Sequence, residues 1–181
     1  MHLCEKTVET EVVFDGRIIT VRKDKAELED GSIADRELVI HSGGVCVVPL
    51  TEDNEVIMVQ QFRYAFGEPL LEIPAGKLEA VEDHRSAGLR ELSEETGADC
   101  SSFKYLGVCY PSVAYLTEKI HMYLATGLKF GESSPDEGEF IDVIKIPLDE
   151  AVQMVMDGKI PDAKTQLALL KTAELIRRGE V

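Results

Sequence analysis

Residues 76–98 read GKLEAVEDHRSAGLRELSEETGA, and no other stretch of the chain restricts its fold as tightly. Asp83 is an N-cap residue and Gly97 a helix-closing glycine, so the segment predicts one helix running to about Thr96. At about 100° per residue, Glu91, Glu94 and Glu95 stand at i, i+3 and i+4 and share one side of that helix. Leu89 and Leu92 are expected on a different side, against the core. Like charges at this spacing repel, and Glu82 adds a fourth carboxylate, so a plain solvated acidic face is a poor choice for a stable helix. Converging hard oxygen donors suit Mg2+ or Mn2+. Arg90, adjacent but roughly 100° round the helix, is placed to clamp one carboxylate bidentately.

The rest of the chain supplies strands around this helix. KTVETEVVFDGRIITVRKDKAELEDGSIADRELVIHSG alternates apolar and polar residues and is broken by Asp15-Gly16 and Asp30-Gly31, which predicts an antiparallel meander. Strands follow in GVCVVPL and EVIMVQQF, and a Pro/Gly-rich stretch, GEPLLEIPAGKLE, leads into the helix. Beyond it come strands near FKYLGVCY and KIHMYLAT, a loop KFGESSPDEGEF, a strand IDVIKIPL and two helices, DEAVQMVMDG and DAKTQLALLKTAELIRRG. Mixed strands with few helices mean an α+β fold. Residues 1–42 form the N-terminal extension and 43–181 the main domain.

Composition narrows the function. With 181 residues, 44% hydrophobic and 29% charged, the chain has the make-up of an ordinary globular domain. A net charge of −15 argues against nucleic acid as partner. The apolar runs are strand-length, which argues against a membrane span, and no secretory signal is visible, which leaves the cytoplasm as the default. Cys4, Cys46, Cys100 and Cys109 show no paired spacing and read as small buried apolar residues. No two histidines have the spacing of a helical metal site.

Gly76, five residues, Glu82, seven residues, then Arg90-Glu91-Leu92-Ser93-Glu94-Glu95-Thr96-Gly97-Ala98 resembles a complete Nudix box, GX5EX7REUXEEXGU with U apolar. The resemblance implies an α/β/α sandwich around a mixed sheet. It also implies divalent cations that offset the charge of a pyrophosphate and assist in-line attack by water. By that resemblance Glu91, Glu95 and Glu94 are metal ligands, Arg90 orients them, and Ala75 gives its backbone carbonyl to a metal. Glu82 either supports the ligands or coordinates a further ion.

Outside the box the chain is most similar to ADP-ribose pyrophosphatases. VQQFRYAFGEPLLEIPAGKLE resembles the segment before their box and puts Arg63 in the place of a substrate-contacting arginine; a surface ion pair is its other reading. Glu72 either faces the same cleft or makes a structural hydrogen bond. YPSVAYLTEKIHMYLATGL resembles the stretch where the family carries Ser-Pro-Gly before an acidic residue. Here that residue is Glu118, a substrate-binding candidate, and Val113-Ala114 stands where Pro-Gly is expected. In SSPDEGEF the resemblance makes Glu137 the general base and Glu139 a metal ligand, with exchange of the two open.

The extension resembles one that builds a homodimer, with a monomer as the alternative. The implied reaction is Mg2+-dependent hydrolysis of ADP-ribose to AMP and ribose 5-phosphate. The alternatives are another nucleoside diphosphate sugar, a dinucleotide polyphosphate or an oxidised nucleotide as substrate, and a non-catalytic nucleotide sensor.

Overall fold

Alternating residues and two Asp-Gly turns give the N-terminal segment three antiparallel strands, β1 (Lys6–Asp15), β2 (Ile19–Glu27) and β3 (Ile33–His41), in the order β1-β2-β3. The computed structural model describes residues 3–134 and 138–181. Among these, the chain divides into two compact units. One lies within residues 1–43 plus Tyr110–Lys119, the other within Gly44–Cys109 plus Ile120–Val181. In the first unit, Val39 and Tyr115–Thr117 exchange backbone hydrogen bonds, which ties the 110–119 segment to β3.

The second unit is built on strands that are apolar on both faces. β4 (Gly44–Pro49) is buried throughout and lies parallel to β9 (Ile120–Phe130). β9 in turn pairs antiparallel with β8 (Ala98–Cys109), and β7 (Ala75–Lys77) borders β4, giving the order β7-β4-β9-β8. A second sheet has the order β10-β5-β6, from β5 (Glu55–Arg63), β6 (Glu68–Glu72) and β10 (Ile141–Pro147).

Side chains alternate across the larger sheet, as a period of two requires. Val45, Val47, Tyr123 and Ala125 pack with Ala87 and Leu92 of α1 (His84–Thr96). Cys46, Val48, Met122 and Leu124 pack the other way, with residues of α2 (Leu148–Met156) and α3 (Ala163–Arg177). Helices thus cover both faces of a mixed sheet. That is the α+β sandwich expected, and its double burial explains the near-continuous apolar runs of β4 and β9.

Two expectations are corrected here. The stretch GEPLLEIPAGKLE is not only a connector, because it contains β6 and β7. Their pairing with β5 and β4 supplies the hydrogen bonds that a segment so rich in Pro and Gly does not advertise. The cysteines are free, but only Cys46 is buried; Cys4 is exposed and the other two are half-buried. No helix among the described residues is long and apolar enough to cross a membrane.

Candidate active site

The carboxylates are placed by α1, and α1 by its own ends. Asp83 caps the helix by accepting from the backbone N–H of Arg85 and Ser86, and Gly97 closes it in the left-handed conformation at φ 68°. His84, in the first turn, has its Nδ1 2.6 Å from the Tyr123 hydroxyl, and its ring stacks on His121 at 3.8 Å. Both contacts pin the start of α1 to β9. At the other end, Gly131 donates to the Gly97 carbonyl and Ser134 to that of Glu94, so the loop after β9 is fastened to the end of α1. A side chain at Gly97 would lie 2.7 Å from the Gly131 carbonyl oxygen. Gly97 is therefore required twice, for its φ and for this close approach.

The inner side of α1 is not the apolar stripe expected of it. Its buried residues are Ala87, Gly88, Glu91, Leu92, Glu95 and Thr96. Two of the three glutamates on α1 share the inward side with Leu92, whereas Leu89 is only half-buried. The glutamates turn inward because β7 leaves space: a Cβ on Gly76 would come within 1.8 Å of Glu91 Oε1. The Glu91 carboxylate thus lies against the bare backbone of β7. Glu95, one turn on, accepts the N–H of Ala75 at 3.0 Å.

Arg90 does more than clamp one carboxylate. Its Nε and Nη2 donate to Glu82 at 3.0 and 3.1 Å, and its Nη1 lies 2.7 Å from Glu94 and 2.8 Å from Glu91. It reaches round the helix because its long side chain is free to bend along the surface. Among the described residues, no group of three acidic, His or Cys side chains is arranged to hold an ion, and three of the four box carboxylates are ion-paired with Arg90.

Burial pushes Glu95 up to about 8, with the charges of Glu91 and Glu139 adding to it against the Ala75 N–H and the positive charge of Arg63. Burial likewise pushes Glu91 up to about 7, opposed by Arg90 and reinforced by Glu94 and Glu139. Two carboxylates held high by burial, with hard oxygen donors and a glycine cradle, are a donor set that suits a divalent cation. Glu139 is exposed, and its negative charge raises the pKa of both of these residues. Glu137 lies outside the described residues.

Arg63, at the end of β5, makes two hydrogen bonds to Glu72, at 2.5 and 2.8 Å. Glu72 also accepts from Lys164 of α3. Lys164, its partner Asp162 and the cradle at Gly76 are the residues sequence reasoning passed over. The only local trace of the first two is an N-cap pattern in DAKT, and for the third it is one glycine among the fixed letters of the box. Glu118 lies in the first unit, where its Oε1 is 3.4 Å from His41 Nδ1.

The chain matches the NUDIX domain family over residues 41–169, and the nucleoside diphosphate sugar hydrolase N-terminal domain over residues 5–39. It is 42% identical over 167 residues to a protein of Bacillus methanolicus named methanol dehydrogenase activator, covering 91% of this chain and 90% of that protein. To a protein of Bacillus subtilis (strain 168) named ADP-ribose pyrophosphatase it is 37% identical over 167 residues, with the same coverage of 91% and 90%. A solved structure described as an ADP compounds hydrolase superposes with a TM-score of 0.85 at 22% identity, over 98% of this chain and 97% of that one, a likeness of fold. Nudix hydrolases generally use divalent metal ions, and the buried Glu91 and Glu95 fit that chemistry. With a domain match across most of its length and an unbroken box from Gly76 to Ala98, the chain belongs to the Nudix hydrolase family.

Proposed function

We propose that this Nudix hydrolase cleaves the pyrophosphate of ADP-ribose, giving AMP and ribose 5-phosphate, with Mg2+ as its metal and Mn2+ as a substitute. The observation that carries the reading is the pair of buried carboxylates, Glu91 and Glu95, set against the bare strand β7 with the guanidinium of Arg63 near enough to act on Glu95. The similarity to the B. subtilis protein named ADP-ribose pyrophosphatase supports the choice of substrate.

Glu91, Glu95 and Glu94, with Glu139 and the carbonyl of Ala75, would hold the metal, and Glu82 keeps Arg90 in place beneath them. When bound, a divalent cation supplies positive charge against the diphosphate and makes water a stronger acid. Arg63 binds a phosphate oxygen. Glu137 accepts the proton as the water oxygen bonds to phosphorus and the bridging P–O bond breaks, leaving the second phosphate as the departing group. Glu118 contributes to the substrate's binding.

We also propose that the protein works in the cytoplasm as a homodimer with no nucleic acid partner. Every residue of β1 is exposed, with Val8, Val12, Val13 and Phe14 among its apolar side chains, and an edge strand of that kind is normally covered. Residues 1–42 serve that assembly and 43–181 the chemistry.

The test is a turnover panel with Mg2+, covering ADP-ribose, other ADP-sugars, GDP-sugars, diadenosine polyphosphates and oxidised dGTP. The expected result is by far the highest kcat/KM for ADP-ribose. Preference for another member would keep the chemistry and replace the substrate. A second reading rests on the B. methanolicus relative and its name. It predicts that the protein raises the activity of a methanol dehydrogenase added to the assay, an effect that ADP-ribose turnover alone would not produce.

A further inference from the structure

Four charged side chains alternate in sign beside the box and come from three separate elements. Arg63 ends β5 and Glu72 ends β6, while Asp162 and Lys164 stand at the start of α3. Glu72 is the shared member, accepting two hydrogen bonds from Arg63 and one from Lys164 Nζ. Lys164 Nζ also donates to Asp162 at 3.0 Å. Asp162 is held in turn, because it caps α3 by accepting from the N–H of Thr165, whose hydroxyl receives the N–H of Ile73 at 3.1 Å.

The members of this set are not equally free. The Glu72 side chain is 3% exposed and that of Lys164 11%, but that of Arg63 is 36% exposed. Glu72 and Lys164 are therefore fixed in the interior, and Arg63 is the member able to move. Arg63 is also the one whose charge reaches Glu95. An arginine that turns toward a phosphate must release some or all of its hold on Glu72. A buried carboxylate left without a cation is strongly unfavourable, so the release is feasible only where a second cation remains. Lys164 is that cation.

We propose that Lys164 is a positioning residue for substrate binding: it stays on Glu72 as a standing counter-ion and so frees Arg63 to engage the diphosphate. The proposal rests on the reading of Arg63 as a phosphate contact. The four charges sum to zero, and removing Lys164 would both tighten Glu72 on Arg63 and leave net negative charge next to an anionic substrate.

The test is a double-mutant cycle with Lys164→Met and Arg63→Met, together with K164R and K164Q, in the full-length protein. It reads kcat, KM and Tm with ADP-ribose at saturating Mg2+, and metal-free binding of inorganic pyrophosphate by calorimetry. K164M should raise KM by about tenfold or more and weaken pyrophosphate to a similar degree, with kcat within about threefold of wild type. K164R should restore KM. In the R63M background K164M should change KM by less than about threefold, since both residues act through the same contact. A full KM effect of K164M that persists in R63M, or losses that follow Tm and are not restored by K164R, would make the set a structural clasp and overturn the proposal. If K164M does not fold, K164Q carries the same comparison, since it keeps a donor but loses the charge. R63M with wild-type KM and pyrophosphate affinity would instead remove the reading of Arg63 itself. R63M raising KM while K164M and K164Q leave it unchanged would sink the Lys164 proposal alone.

Discussion

Replacing Gly76 by alanine should separate folding from catalysis. The added Cβ would lie 1.8 Å from Glu91 Oε1, 2.0 Å from its Cδ and 2.5 Å from Oε2, whereas ordinary contact begins near 3.4 Å. The carboxylate must therefore retreat by about 1.6 Å, or the strand must move by a comparable amount. The first course is the easier one, because the obstructing atoms are the far end of a flexible side chain. Gly76 does not occupy the left-handed region, so alanine brings no backbone strain and even restricts the unfolded chain, worth about 0.4–1 kcal/mol. The fold should survive with Tm changed by a few degrees at most. Catalysis should not. A Mg2+–oxygen bond is about 2.0–2.1 Å long and tolerates little error, and a misplacement of about 1 Å commonly costs ~10²-fold in rate. At least ~10²-fold should be lost from kcat/KM, or roughly 3 kcal/mol of transition-state stabilisation. The assay is steady-state turnover across a Mg2+ titration beside a thermal melt, for G76A, E91Q and the double variant. Because G76A acts only through Glu91, it should add almost nothing in the E91Q background. Wild-type turnover of G76A at ordinary Mg2+, or a further tenfold loss on top of E91Q, would refute the idea that the bare strand exists to seat this carboxylate.

Three further perturbations address the same cluster. In EDTA, Glu91 and Glu95 keep folded-state pKa values of about 7 and about 8, above the value near 4.3 of an unfolded glutamate. Their contribution to stability is then intact below about pH 4 and is lost as pH rises through about 7 and about 8, on the order of several kcal/mol for the pair. Melts in EDTA should show Tm falling between about pH 5 and pH 8.5 and Mg2+ restoring it most at the upper end; a flat or rising Tm in EDTA would contradict this. Glu95→Gln removes one of these buried charges, so in EDTA at pH 8 it should melt no lower than wild type while turnover drops by ~10³-fold or more. Wild-type turnover in that variant would dismiss Glu95 as a ligand. Of the loop variants, Glu137→Gln should lower kcat with little change in the Mg2+ concentration required, and Glu139→Gln should raise that concentration. The opposite pattern would exchange their roles.

How much of this was legible in the sequence depends on how far apart the interacting residues lie. The ends of α1 were readable because Asp83 and Gly97 act on backbone groups within a few residues of themselves. The common side of Glu91 and Glu95 was readable too, since helical geometry alone sets it. What the helix could not reveal was whether that side faces water or protein. That is decided by β7, which reads as part of a Pro/Gly-rich connector and becomes a strand only through its register with β4, Cys46 opposite Ala75 and Val45 opposite Gly76. The Lys164–Glu72 contact spans 92 residues, and nothing local to DAKT indicates its destination.

Arg90 shows the limit from the other direction. Its neighbours were evident, yet the expectation of a single bidentate clamp missed that one guanidinium holds Glu82, Glu91 and Glu94 together. This arrangement resolves a difficulty that the sequence posed. A helix with glutamates at i, i+3 and i+4 can fold before any metal arrives if a cation of its own neutralises them. Arg90 supplies that charge to the three it reaches. Glu95, which among the described residues makes no ion pair with Arg90 and accepts the backbone N–H of Ala75, is pushed higher than Glu91. Of the box carboxylates it has the most to gain from a divalent ion. The uneven reach of one arginine thus gives α1 a cation of its own for three of its carboxylate neighbours and leaves Glu95, the proposed metal ligand, as the one without an Arg90 ion pair.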